Sequence, residues 1–303
     1  MEMHQLRYVV AVARTRNFSR AAESCHVSQP SLSQQIQKLE DELGHRLFER
    51  TRREARLTNA GEAFLRRATA ILEEVEAVRR EVSEVQELKS GTLKMGVLPT
   101  IAPYLLPRLM GVFTPKYPGI ELVVQEDTTA QLTRQVLSCE IEMAIVSDPF
   151  EERGLQSKEL FEEELVVALP PHHSLCRKKE IGISDLEQEP FILMKEGHCL
   201  GDQVTRFCQR RELQPRIRFR SAQLETLQAL VWSGLGISLI PEMATQTGVQ
   251  NRPVYRSLSG IKPKRKILVI WLQQRPLSKA AREFLSAYGQ NHSEEVRSTK
   301  SVR

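Results

Sequence analysis

Long hydrophobic runs are missing from this sequence. No stretch approaches eighteen uninterrupted apolar residues, which excludes a membrane-spanning helix. An export signal is missing too. In MEMHQLRYVVAVARTRNFSR the apolar run is broken by Arg14 and Arg16, and no small-residue cleavage site follows. Cysteines are few and odd in number: Cys25, Cys139, Cys176, Cys199 and Cys208. Such a set points to the reducing cytoplasm and excludes a structural disulfide framework. No Cys-x2-Cys pair or second histidine pair accompanies them, so no metal and no other cofactor is expected. His172 and His173 lie in a Pro-Pro-His-His loop expected to face solvent. Charge of one sign is not in great excess. The net charge of +5 is compatible with a nucleic-acid partner without demanding one. What is present is ordinary globular material, 41% hydrophobic and 27% charged, which rules out a wholly disordered chain. At 303 residues the chain is about twice the commonest domain size, so two or three compact units are expected.

The pattern divides into residues 1–58, 59–90 and 91–303. The middle stretch reads as one long helix. Phe64, Ala68, Ile71, Val75, Val78, Val82 and Val85 recur at alternating spacings of four and three, a heptad seam. It suits either packing on its own chain or pairing with a second copy. Pairing is favoured, because the helix outruns any small domain it could lie on. From Gly91, strand-like runs alternate with amphipathic helices, which predicts α/β architecture with covered parallel strands. Strands are expected over Thr92–Val97, Ile120–Gln125, Met143–Ser147, Glu164–Ala168, Phe191–Met194, Ile217–Arg220, Ile237–Ile240 and Lys266–Leu272. Helices are expected over 102–115, 129–139, 202–212, 223–233 and 279–288. Two lobes are expected, about 91–161 plus 266–290, and about 162–265. A disordered tail is expected over 291–303. Ligands of such sheets gather beyond the carboxyl ends of strands, which directs attention to the loops after Val97 and Met194.

At the N-terminus, Phe18-Ser19-Arg20-Ala21-Ala22-Glu23 opens a short helix and Cys25-His26-Val27 makes a tight connection. Ser28 then caps a second helix, with Pro30 where a missing N–H costs nothing. Leu32, Ile36 and Leu39 form its apolar stripe. Ser31, Ser33, Gln34, Gln37 and Lys38 form a polar face of a kind that reads base edges and phosphates in a major groove. Arg46, Arg50, Arg52, Arg53 and Arg56 follow, interleaved with Leu47, Phe48 and Leu57, which suits a β-ribbon wing holding phosphates. Any one of these residues alone would be ordinary surface. Together with Leu39-Glu40, Leu43-Gly44, Leu47-Phe48-Glu49-Arg50, Leu57-Thr58 and Ala60-Gly61, the ordered spacing resembles the winged helix-turn-helix of LysR-type transcriptional regulators. The resemblance implies an α+β multidomain chain. It would comprise a winged helix-turn-helix, a dimerising linker helix and a two-lobed α/β effector domain like periplasmic binding proteins. It also implies that Ser31, Ser33, Gln34 and Lys38 touch DNA from the helix and Arg50 from the wing.

The segment Lys195-Glu196-Gly197-His198-Cys199-Leu200-Gly201-Asp202-Gln203 follows a strand and opens a helix, with Cys199 at its N-terminal end. Unpaired N–H groups there favour an anion, and thiolate is the form that attacks a peroxide oxygen. Cys208 lies on the apolar side beside Val204 and Phe207 and reads as a buried, unactivated thiol. Nine helical residues advance about 13.5 Å, whereas a disulfide needs Cα atoms about 4.4–6.8 Å apart. A bond between the two sulfurs would therefore require the helix to unwind. Two unrelated cysteines remain the alternative. The surrounding residues resemble the redox-switch segment of the hydrogen-peroxide sensors within the LysR-type family. So do Leu98-Pro99-Thr100, Asp127-Thr128-Thr129 and Arg265. That resemblance implies a peroxidatic Cys199, a resolving Cys208, an intramolecular disulfide between them, and a peroxide pocket lined by Thr100, Thr129, His198 and Arg265. Cys25, Cys139 and Cys176 are expected to be packing residues.

The expected function is a cytoplasmic transcription activator that senses hydrogen peroxide and is not an enzyme. Expected partners are double-stranded DNA bearing an inverted repeat, RNA polymerase, further copies of itself as homodimer and homotetramer, and a thiol reductant such as glutaredoxin or thioredoxin. The alternatives are a LysR-type regulator that binds a small metabolite between its lobes, or a thiol peroxidase fused to a DNA-binding region.

Overall fold

The structure, a computed structural model, describes residues 1–50, 55–84, 90–178, 180–195, 197–245 and 251–288, without the side chains of 50, 76, 77 and 79–84. Expectations for Arg52, Arg53, Val85 and the tail 291–303, and for the side chains of Arg50 and Val82, lie outside the described residues. The chain divides into two compact units. One is Met1–Glu87 with Ser138–Glu140; the other is Leu88–Leu137 with Ile141–Arg303.

The first unit runs α1 (Met3–Thr15), α2 (Phe18–Ser24), α3 (Gln29–Leu43), β1 (Phe48–Arg50), β2 (Ala55–Leu57) and α4 (Asn59–Glu84). Caps set the helix limits. Asn17 accepts from the backbone N–H groups of Ser19 and Arg20 at the head of α2, and Ser28 accepts from that of Ser31 at the head of α3. Gly44 ends α3 in the left-handed conformation, with φ 71°. Leu32, Ile36 and Leu39 are buried against Val9, Val12, Ala21 and Phe48. The wing strands pair antiparallel, with Phe48 opposite Leu57 and Arg50 opposite Ala55. The heptad seam of α4 is divided. Ala68 is buried and Phe64 packs on the unit's own core, whereas Ile71 is 41% exposed and Val78 54%.

The second unit continues with β3 (Gly91–Val97), α5 (Ala102–Lys116), β4 (Ile120–Glu126), α6 (Thr129–Leu137), β5 (Met143–Ser147), β6 (Leu155–Leu169), β7 (Pro190–Met194), α7 (Cys199–Arg210), β8 (Arg216–Ser221), α8 (Leu224–Trp232), β9 (Ser238–Pro241), β10 (Val254–Arg256), β11 (Lys264–Leu272) and α9 (279–288). One seven-stranded sheet has the order β10-β6-β11-β5-β3-β4, with β9 also on β6; β7 and β8 form a parallel pair. Strands β3, β4 and β5 are parallel, as the alternating pattern predicts, but β11 is antiparallel to both β5 and β6.

Several expected limits need correction, among them the end of α6 at Leu137 rather than 139, and one strand, β10, was not expected. Strand β6 is fifteen residues long and begins at Leu155, not Glu164. Its first half carries Lys158, Glu159, Glu162 and Glu163, which hid the strand. Those charges are matched from β11: Lys264 pairs with Glu162 and Lys266 with Glu159. Strand β10 has three residues after Pro253 and was too short to show a period. Helix α7 starts at Cys199 rather than 202 and stops at Arg210, because Arg211 closes the last turn and Glu212 turns left-handed. Two apolar cores result. One gathers Leu93, Met95, Val97, Ile145, Ile267, Val269, Phe113 and Phe284. The other gathers Leu165–Leu169, Phe191–Met194, Leu200, Val204, Cys208, Val231 and Leu239.

Candidate functional site

The carboxyl ends of β3 and β5 lie side by side, because the strands are parallel and pair at Val97 and Ile145. Beyond β3 the chain makes a tight turn. Leu98 N–H donates to the Ile145 carbonyl, and Thr100 is buried before α5 begins. On β5 the last residue is Ser147, also buried. Helix α7 faces this edge. Its first turn is laid close on the end of β7, where a Cβ at Gly201 would stand 2.8 Å from the Met194 carbonyl oxygen. Only glycine allows that approach.

Cys199 is the first residue of α7, behind His198 as N-cap. It is half-buried and packs against the first core, while Leu200, Val204 and Cys208 of the same helix belong to the second. The hydroxyl of Ser147 donates to its Sγ at 3.3 Å. Gln203, one turn further along α7, donates from Nε2 to Ser147 Oγ at 3.1 Å and also to the backbone carbonyl and Oδ1 of Asp148. Cys208 is 1% exposed, and burial pushes its thiol up to about 11. It is therefore a protonated, poorly nucleophilic thiol at neutral pH. All five cysteines are free thiols.

Arg265 is 0% exposed on β11, directly across from Glu163 on β6. Its Nε donates to Glu163 Oε1 at 2.8 Å, Nη1 to Thr100 Oγ1 at 3.1 Å and Nη2 to the Thr100 carbonyl at 3.2 Å. Glu163 also accepts from the Met243 N–H. The buried cation is thus paired with a carboxylate and held by further hydrogen bonds. Thr129 is the first residue of α6, and its buried Oγ1 has no hydrogen-bond partner among the described residues. Of the four residues expected around a peroxide, Thr100 and Arg265 are in direct contact. The hydrogen bond to the Cys199 sulfur comes from Ser147 instead.

Ser147, Gln203, Asp148 and Glu163 were missed as site residues. Ser147 could have been found by applying the strand-end rule to β5 as well as to β3 and β7. Glu163 carried no signal, because it sits in a run of glutamates that looks like surface. Among the remaining candidates, Cys176 donates from Sγ to the Pro170 carbonyl, Cys139 is buried and Cys25 lies against the first unit's core. His172 is exposed, but His173 bonds Glu189 and the Leu175 N–H.

In the first unit, Ser31, Gln34 and Lys38 are exposed on α3, and Ser33 is half-buried, accepting from Gln29 Nε2 at 2.8 Å. Further along α3 the buried Glu40 carboxylate accepts from the N–H groups of Leu47 at 2.7 Å and Phe48 at 3.2 Å. Arg50 closes β1.

Two family models match. Residues 3–62 match the bacterial regulatory helix-turn-helix protein, lysR family, and residues 86–292 match the LysR substrate binding domain. The hydrogen peroxide-inducible genes activator of Dickeya chrysanthemi is 37% identical over 282 residues, 91% of each chain. Full-length OxyR of Pseudomonas aeruginosa, carrying a cysteine-to-aspartate substitution, superposes with a TM-score of 0.81 at 33% identity, covering 95% of this chain and 94% of that one. CbnR, a LysR-type protein solved in complex with its target DNA, superposes with a TM-score of 0.68 at 25% identity, covering 96% and 98%.

Proposed function

Because this chain belongs to the LysR family of DNA-binding transcription regulators, we propose that it senses hydrogen peroxide through Cys199 and stores the signal as a Cys199–Cys208 disulfide that activates antioxidant genes. One observation carries the reading: two thiols on one helix have opposite settings. Cys199 is half-buried at the helix head with a hydroxyl donating to its sulfur, and Cys208 is sealed in a core with its proton held. The first suits attack on a peroxide, the second suits waiting until the helix opens. Peroxide attack leaves a sulfenic acid on Cys199; the Cys208 sulfur then attacks the Cys199 sulfur, the S–S bond forms as the S–O bond breaks, and the hydroxyl leaves with the Cys208 proton as water. Thr100, Thr129, His198 and Arg265 are the peroxide-binding residues in this proposal. The unpartnered Thr129 hydroxyl supports it, since a buried polar group without a partner calls for one.

Ser31, Ser33, Gln34 and Lys38 read the operator from α3 and Arg50 grips phosphate from the wing. A twofold pair of such units matches an inverted repeat. The homotetramer, the contact with RNA polymerase, the cytoplasmic location and reduction by a glutaredoxin or thioredoxin belong to the same proposal. The test is thiol counting after a brief micromolar peroxide pulse. Two thiols should vanish with a mass loss of about 2 Da and no added oxygen, and Cys199→Ser should abolish the change. Unaltered thiols would defeat the proposal and leave a metabolite-responsive regulator.

A further inference from the structure

We propose that Ser147 is a further reacting-site residue of the thiol switch, stabilising the Cys199 thiolate by hydrogen bonding, and that Gln203 is the positioning residue that aims it. The inference rests on the peroxide-sensing reading and deepens it.

Ser147 closes β5, is 1% exposed, and has its Oγ 3.3 Å from the Cys199 sulfur. A hydroxyl has a single proton to donate. Gln203 Nε2 lies 3.1 Å away on the other side. An amide nitrogen donates and does not accept, so it occupies a lone pair of Ser147 Oγ and leaves the hydroxyl proton to the sulfur. The amide's own orientation is fixed by its surroundings. The same nitrogen faces the Asp148 carbonyl and Asp148 Oδ1, and turning the amide over would set its oxygen against two acceptors. Asp148 is in turn tied to β11: Lys266 N–H donates to Oδ1 at 2.7 Å, and Asp148 N–H donates to the Lys266 carbonyl at 3.0 Å. From strand to sulfur the chain runs through Asp148, Gln203 Nε2 and Ser147 Oγ, while Gln203 Oε1 is buried with no partner among the described residues.

A hydrogen bond to sulfur strengthens when the sulfur is charged. Ser147 keeps its proton throughout. The sulfur lone pair attacks one peroxide oxygen, the S–O bond forms as the O–O bond breaks, and the sulfur loses two electrons to give Cys199 sulfenic acid. The departing hydroxide takes a proton from water. Gln203 stands four residues after Cys199, on the same face of α7. Opening the helix therefore removes the sulfur and the group that aims Ser147 in one event.

The test uses the reduced full-length chain, following Cys199 by the mass of its own peptide. Iodoacetamide alkylation is measured against pH, and peroxide oxidation at pH 7. Ser147→Ala removes one buried atom and should slow both reactions at pH 7 about tenfold while moving the alkylation profile to higher pH, the size of one lost charge-assisted hydrogen bond. Gln203→Met should move the profile in the same direction by less. Ser147→Thr, which retains the hydroxyl, should stay within about twofold of the parent. Among the described residues, the charged and titratable groups on the segments bordering Cys199 are Lys195, His198 and Asp202 on its own side and Asp148, Arg265 and Lys266 across from it, and none of these variants alters them. An alkylation profile unmoved in Ser147→Ala overturns the proposal, as does a Ser147→Thr chain as slow as the alanine variant. Alkylation needs no peroxide. A parent chain inert to peroxide would end the sensing function while leaving the role of Ser147 separately readable.

Discussion

Glu40 lies on the buried side of α3, with one carboxylate oxygen shared between the backbone N–H groups of Leu47 and Phe48. It holds the start of the wing to the helix proposed to face DNA. Glu40→Ala should leave two buried donors unpaired and destabilise the first unit by about 2–6 kcal/mol, since each orphaned group costs about 1–3 kcal/mol. Chemical denaturation followed by circular dichroism measures this, and loss of operator binding should accompany it. A denaturation curve identical to the parent's would show that the clamp is dispensable. The residue was visible in the sequence as half of Leu39-Glu40, but its purpose was not. A glutamate next to an apolar stripe looks like a helix-surface charge until the returning strand is in place. The cysteines are the reverse case. Cys208 beside Val204 and Phe207 already reads as buried from helical spacing alone, and the raised thiol follows from that burial.

Among the elements, α7 is the one whose chemistry and geometry conflict. Its N-terminal residue is the thiol proposed to meet peroxide, the thiol proposed to resolve it lies nine residues on, and the intact helix keeps the two about 13.5 Å apart along its axis. Disulfide formation should therefore be visible as unwinding. Backbone amides of residues 203–208 should exchange slowly with solvent in the reduced chain and at least tenfold faster after oxidation, measured by hydrogen exchange with mass spectrometry. Equal protection in both states would mean that no conformational signal leaves this helix. Most elements of the second unit were legible from period and length, because β3, β5 and β7 are apolar runs and the helices between them are amphipathic. The missing half of β6 was not. Its residues are polar because they cross-pair with lysines of β11, and a charge matched across strands has no local signature.

At the scale of the whole molecule, the exposed part of the α4 seam is the feature most in need of a partner. Ala68 is buried and Phe64 packs on the first unit's own core, while Ile71 and Val78 are presented to solvent at heptad spacing. Replacing both with glutamate should convert an associated species into monomers in sedimentation experiments without lowering the helix content of the chain. Unchanged sedimentation would assign assembly to another surface. A last consequence comes from β6. Leu155, Leu160 and Phe161 pack on one core and Leu165–Leu169 form part of the other, so a single unbroken strand is built into both, and β11 runs beside it. The pairing of the two strands slips by one residue between Ile267 and Leu268, leaving Leu160 as an extra residue where β6 passes between the cores. That bulge gives the shared backbone a place to bend, so a rearrangement in one core has a main-chain route into the other.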